Sequence, residues 1–361
     1  MDGGIRRRSP ASRALVNGAA IVIVIYGLQE AQALLIPFLI ALFLAMLTAP
    51  LVSWLRARKV PTAAAVGVVV LALFVVMSAA GALLGGSINS FINAIPTYHR
   101  RLDIFLDSLS AWLDQLPVDL PEIGIVDILN PAALMEVLAG GLRGIVSTVS
   151  NAVLVVLTVV FMLLEAAWLP AKLRLATRDG DERLKRFARI TDQVQRYLAI
   201  KTVISLVTGV VVALWVAVVG LDFAPVWGLL AFLLNYIPNI GSVIAAVPAV
   251  MLALVQLGFG EALLVLLGFV AVNMILGNLV EPQLMGRTLG LSPLFIFLAL
   301  VFFGWMWGPI GMLLSVPLTM IVKISLENSP RSAWIAEMLE SGTVTAARLR
   351  AEEQKGASED A

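Results

Sequence analysis

Two apolar stretches are longer than a straight membrane helix requires, and that mismatch limits this chain more than any other feature of its sequence. Phe223 to Gly260 and Leu291 to Ile324 each exceed thirty residues, whereas about 20 residues at about 1.5 Å rise cross the hydrocarbon of a bilayer. Both are interrupted near the middle, by Pro238-Asn239-Ile240-Gly241 in the first and by Gly308-Pro309-Ile310-Gly311 in the second. Proline supplies no backbone N–H and glycine relaxes the helix, so amides and carbonyls are freed at a depth where lipid cannot satisfy them. Each stretch is therefore expected to fold back as a re-entrant helical hairpin. A pair of kinked, tilted helices, with the freed groups met by neighbouring helices, is the alternative.

Six further apolar runs have the length of single spans: Ala14 to Leu28, Ala33 to Val52, Ala63 to Leu84, Val146 to Trp168, Val203 to Leu221 and Ala262 to Val280. The expected fold is all-α and polytopic, with about eight membrane segments, two of them hairpins. Composition agrees, because only 14% of the 361 residues are charged and 60% are hydrophobic, while a soluble domain carries about 25% charged residues. Arg6, Arg7 and Arg8 before the first run, and Ala31-Gln32-Ala33 after it, have the form of a signal peptide. The chain re-enters an apolar run at once, however, so a retained pair of spans is expected.

Charge asymmetry orients the spans. Arg56, Arg58 and Lys59 follow the second run, and nine basic residues lie between Lys172 and Lys201; the positive-inside rule places these segments, with both termini, in the cytoplasm of a bacterial inner membrane. The acidic region from Asn89 to Arg143 belongs outside. The chain then divides into N-terminal membrane helices (1–88), an extracytoplasmic helical insert (89–145) and a membrane helix with a basic amphipathic extension (146–201). A core with both hairpins (202–326) and a cytoplasmic tail, partly disordered by its composition (327–361), complete it.

Pro238-Asn239-Ile240-Gly241 is followed by Pro248, and Pro309-Ile310-Gly311 by Pro317, a weak internal repeat with glycine-to-proline spacings of seven and six. Paired broken segments of this kind point to a transporter binding site. The candidate substrate residues are Asn235, Pro238, Asn239, Gly241, Ser242, Gly308, Pro309 and Gly311, with the two tips expected to meet near mid-membrane. Their amides, hydroxyl and backbone groups suit an uncharged, hydroxyl-rich solute. Glu281 precedes Pro282 at the end of a span and is the candidate for coupling to a cation or proton, with Asn278 as its partner.

Enzyme chemistry finds little support. The chain has no cysteine and one histidine, His99, so thiol chemistry and the common metal-ligand sets are excluded and no cofactor is expected. No His-Glu-x-x-His motif occurs, and Gly85-Gly86 and Gly140-Gly141 do not begin phosphate loops. A net charge of +1 gives no field for nucleic acid.

Asn235-Tyr236-Ile237-Pro238-Asn239-Ile240-Gly241, Glu281-Pro282-Gln283-Leu284-Met285-Gly286, Leu289-Gly290-Leu291-Ser292-Pro293 and Trp307-Gly308-Pro309-Ile310-Gly311, in this order, resemble the autoinducer-2 exporter family of bacterial membrane proteins. The resemblance covers most of the chain in span order and is sharpest from Arg196 to Lys323. It implies a homo-oligomer, a pentamer, with two hairpins shaping the substrate site and an elevator-like motion. Export of a small quorum-sensing signal is the function it implies first; sodium/proton antiport and a non-transporting membrane scaffold are the alternatives.

Overall fold

The computed structural model describes residues 10–113, 152–176, 180–238, 240–285, 291–327 and 333–339, and every element among them is a helix. In order they are α1 (Pro10–Glu30), α2 (Gln32–Ala57), α3 (Thr62–Leu113), α4 (Ala152–Ala176), α5 (Gly180–Val219), α6 (Ala224–Leu234), α7 (Ile240–Gln256) and α8 (Phe259–Val272). A π-helix (Asn273–Val280), α9 (Glu281–Met285), α10 (Pro293–Glu327) and α11 (Ala333–Met338) complete the set. Among the described residues, five helices are long and apolar enough to cross a membrane: Gln32–Ala57, Thr62–Ala79, Thr191–Val219, Phe259–Met285 and Pro293–Leu326. Val218 is 82% exposed and Phe259 77%; apolar side chains this open, along helices this apolar, face lipid. The protein is an all-α polytopic membrane protein.

Two features go beyond the reading of the sequence. The third apolar run does not stop near Leu84: α3 continues unbroken through Gly85-Gly86 and Pro96 to Leu113, so the division at residue 88 falls inside a helix. One proline in a helix of 52 residues removes one hydrogen bond, while the turns on either side keep theirs. The first two runs are joined by a bend and not by a polar loop. Ala31 donates to Gly27 O at 3.0 Å, and Leu34 and Leu35 both donate to Ala31 O, so helical bonding resumes at once. Most of the expected extracytoplasmic insert beyond Leu113, the tail beyond Leu339, and Asn239 lie outside the described residues.

The helices gather into three apolar clusters. One joins α2, α3 and α4 around Ala41, Val66 and Val159. A second joins the later half of α5 to α6, α7 and α8 around Val212, Trp227 and Leu252. Phe91 of α3 enters it edge-on to Phe223 and Trp227, with centroids 5.5 Å away in both cases. The third joins the earlier half of α5 to Met285 and to both ends of α10 around Leu198, Leu291 and Met320.

Both long apolar stretches reverse direction. After α5, Gly220 (φ 92) closes a Schellman turn in which Leu221 donates to Val216 O and Gly220 to Ala217 O. From there α6 runs back along α5, the chain turns at Asn235–Pro238, and α7 returns. The Gln256 carboxamide at the end of α7 accepts from Asp222 N–H at 3.1 Å and donates to Gly220 O at 3.4 Å, so the open ends of this pair meet. In α10 the backbone leaves helical values at Trp307 and Gly308 (φ 64), a positive φ that glycine adopts without strain. A Cβ on Gly304 would lie 2.7 Å from Met312. Residues eight apart in a straight helix are about 12 Å apart, so the two halves of α10 also fold together.

The two reversals touch different points of the first two helices. Tyr236 at the first sits edge-on to Phe43 of α2, centroids 5.8 Å apart, whereas the Trp307 indole N–H at the second donates to Leu28 O at 3.2 Å. The helix from Gln32 to Phe43 alone rises about 16 Å. The first hairpin is docked along α5, and α10 packs against α5 as well as reaching α1 through Trp307.

Candidate functional site

The seam between α5 and the first hairpin begins with two glycines. A Cβ on Gly209 would lie 2.7 Å from Gly228 O, and one on Gly228 would lie 2.6 Å from Ala213 Cβ, so α5 and α6 approach with their backbones nearly touching. That approach carries the polar tip of α6 onto α5. Asn235 Nδ2 donates to Ser205 Oγ at 2.9 Å, and the Tyr236 hydroxyl pairs with Thr202 Oγ1 at 2.7 Å. Thr202 in turn donates to Leu198 O.

One turn along, Thr208 is buried and its hydroxyl finds no protein partner, alone in this among the described side chains. It faces a cavity of about 10 Å³ that Asn235, Ser242, Asn273 and Gly277 also line, a volume that holds about one water. An orphaned hydroxyl at membrane depth costs about 1–3 kcal/mol, so this seam is incomplete without a polar occupant. Its fourth wall is the π-helix, whose i→i+5 bonding is a common mark of functional positions. A Cβ on Gly277 would lie 2.9 Å from Asn273 Oδ1, so glycine there leaves room for the Asn273 amide.

Two turns in the other direction, Lys201 Nζ binds Glu281 Oε1 at 2.6 Å, with side chains 5% and 17% exposed. Tyr197 is buried and lies near Glu281 and Tyr236. Tyr197, Lys201, Ser205 and Thr208 thus form one polar stripe on α5, at spacings of four, four and three, facing Glu281, Gly277 and Asn273 on the helix opposite.

The residues expected from sequence divide accordingly. Asn235 and Ser242 line the cavity. Pro238 is half-buried at the turn, and Gly241 is buried against Leu234 O. Gly308, Pro309 and Gly311 belong to the other hairpin, beside the Trp307 that reaches Leu28. Glu281 is partnered by Lys201, while Asn278 points outward and is exposed. Sequence reasoning passed over Lys201, Ser205 and Thr208, and it chose Asn278 where Asn273 lines the cavity. Lys201 reads as the last of a basic run that marks a cytoplasmic segment, yet it is 4% exposed; the spacing of polar residues along α5 was the signal that could have separated it from that run.

A polar seam walled by a broken helix and a π-helix, inside a membrane bundle, is the form of a transport site. The AI-2E family transporter pattern matches residues 18–331. The chain belongs to the AI-2E transporter family. It is 41% identical over 319 residues to the AI-2 transport protein TqsA of Escherichia coli, covering 88% of this chain and 93% of that one. A putative transport protein of Haemophilus influenzae is 39% identical over 337 residues, covering 91% and 96%. The putative transport protein YhhT of Escherichia coli is 36% identical over 328 residues, covering 91% and 94%. As an AI-2E family member this protein is a membrane transporter.

Proposed function

We propose that this transporter exports a small, uncharged, hydroxyl-bearing solute of the autoinducer-2 type, bound in the seam between α5, the first hairpin and the π-helix. The observation that carries this reading is the buried, unpartnered Thr208 hydroxyl facing the Asn235, Ser242 and Asn273 side chains. These are neutral donors and acceptors, suited to hydroxyl and carbonyl groups rather than to a free ion. A cavity of one-water size is the closed form of such a site, so entry requires the α6–α7 hairpin to swing from α5. We place the protein in the bacterial inner membrane with both termini cytoplasmic, as a pentamer in which the core around both hairpins slides on α2–α4 as an elevator.

Efflux of autoinducer-2 from liposomes holding the purified protein tests the site. Thr208→Val and Asn235→Ala are each expected to slow efflux about tenfold, since a neutral hydrogen bond to the solute is worth about 1 kcal/mol or somewhat more. Thr208→Val removes a buried hydroxyl that no protein group satisfies, so its melting temperature should not fall. Equal efflux by wild type and both variants would move the site elsewhere.

The hairpin reading fixes a side of the membrane. Lys201 closes the basic stretch and binds Glu281, which supports a cytoplasmic position for residues 286–290, as a first hairpin that re-enters from outside requires. Cysteine at Thr288 is expected to react with an impermeant maleimide only after cells are opened, as is cysteine at Arg56. Labelling of Thr288→Cys in intact cells would overturn this orientation.

A further inference from the structure

We propose that Glu281 is the binding site of a coupling proton and that Lys201 is the counter-charge through which its arrival is felt at the solute cavity. The inference rests on the transport reading above and adds its energy source. Lys201 is nearly closed off, with 5% of its side chain exposed, while Glu281 keeps 17%. A proton can thus reach the carboxylate but water does not surround the ammonium. In the step itself one proton from water adds to a carboxylate oxygen of Glu281, no covalent bond breaks, and the pair passes from net neutral to a net charge of +1. Lys201 remains an ammonium and keeps only a neutral acceptor. A buried charge left without its counter-ion is strongly disfavoured, so the proton and the present packing of α5 on α9 exclude one another.

The connection to the solute is along two helices. Lys201 and Thr208 lie on one stripe of α5; Glu281 begins the turn that follows the π-helix, and Asn273 and Gly277 of that π-helix line the cavity. Thr202, the neighbour of Lys201, holds the Tyr236 hydroxyl at the tip of the hairpin that closes the cavity. The ionisable groups near Glu281 are Lys201 and Tyr197, both from α5, and Tyr197 in turn lies near Tyr236 of the first hairpin. Lys323 of α10 is also buried, one turn past Met320, which shares an apolar cluster with Tyr197 and Met285. No other carboxylate is paired with Lys201 among the described residues, so one proton per cycle is the expected stoichiometry.

The test uses the full chain in liposomes, with autoinducer-2 as the probe and a pH gradient of about one unit, which at one proton per solute sustains about a tenfold solute gradient. Wild type is expected to reach that gradient. Glu281→Gln keeps the shape of the protonated acid but can neither take nor release the proton; it should not follow the pH gradient and should not carry the probe above a ratio of about one. Glu281→Asp restores an ionisable group and should accumulate the probe above the Glu281→Gln level. Tenfold accumulation by Glu281→Gln, or indifference of wild type to the pH gradient, overturns the proposal. If wild type does not move autoinducer-2 at all, the solute reading fails while the proton site is still decided by infrared difference spectra on acidification. A carboxylic C=O band present in wild type and absent in Glu281→Gln upholds it, and the same band in both overturns it.

Discussion

Gly241→Ala is expected to abolish transport, lowering flux by at least about tenfold and the melting temperature by several degrees, from an overpacking cost of about 1–3 kcal/mol. The added Cβ would sit 1.8 Å from Leu234 O and 3.2 Å from Ile237 Cβ. The first of these is backbone inside the turn, so no rotamer change relieves it, and the α6–α7 reversal has to open. Gly311→Ala should behave alike, because its Cβ would fall 1.9 Å from Phe303 O and 3.0 Å from Trp307 Cβ. Gly260→Ala is the control: nothing lies within 4 Å of that Cβ, and flux and melting temperature should match wild type. Flux measured beside thermal unfolding checks all three. Wild-type flux in Gly241→Ala would mean that the tight reversal is not part of the working transporter.

The second large effect is expected at the ion pair. Lys201→Met leaves Glu281 charged and without its partner in a largely closed site, and removal of one member of a buried pair costs about 3–5 kcal/mol. The variant should unfold at markedly lower temperature. Lys201→Met combined with Glu281→Gln removes both charges and is expected to recover most of that loss, since desolvating the pair opposes much of its Coulombic attraction. A double variant as unstable as Lys201→Met alone would show that the lysine stem, and not its charge, holds α5 to α9.

The sequence repeat is visible in the folded chain as a shared backbone device. In both hairpins a glycine just past the reversal packs against a carbonyl seven or eight residues earlier, Gly241 on Leu234 O and Gly311 on Phe303 O. Proline and glycine announce such a turn because their constraints are local to the backbone. The all-α class, the apolar runs and their order follow equally directly, since a bilayer sets the length and polarity of every segment inside it.

Where segments end up relative to one another is a different matter. The apolar run at Ala63 gives no sign that α3 will carry on through Pro96, and the run at Ala33 none that it joins its predecessor through a bend at Ala31. The sequence gives no sign of where each reversal docks: Gly209 and Gly228 hold α6 along α5, while Trp307 beside the second reversal reaches Leu28. Asn278 and Asn273 are equivalent as letters. Only the packing of the neighbouring helices shows that Asn273 lines the cavity while Asn278 is exposed. Local residue chemistry by itself determined a membrane-spanning helical chain, two reversals and a polar first hairpin tip. The tertiary structure decided that Lys201, eighty positions before Glu281, is its partner, because a long-range ion pair is fixed by how helices dock and leaves no spacing in the sequence.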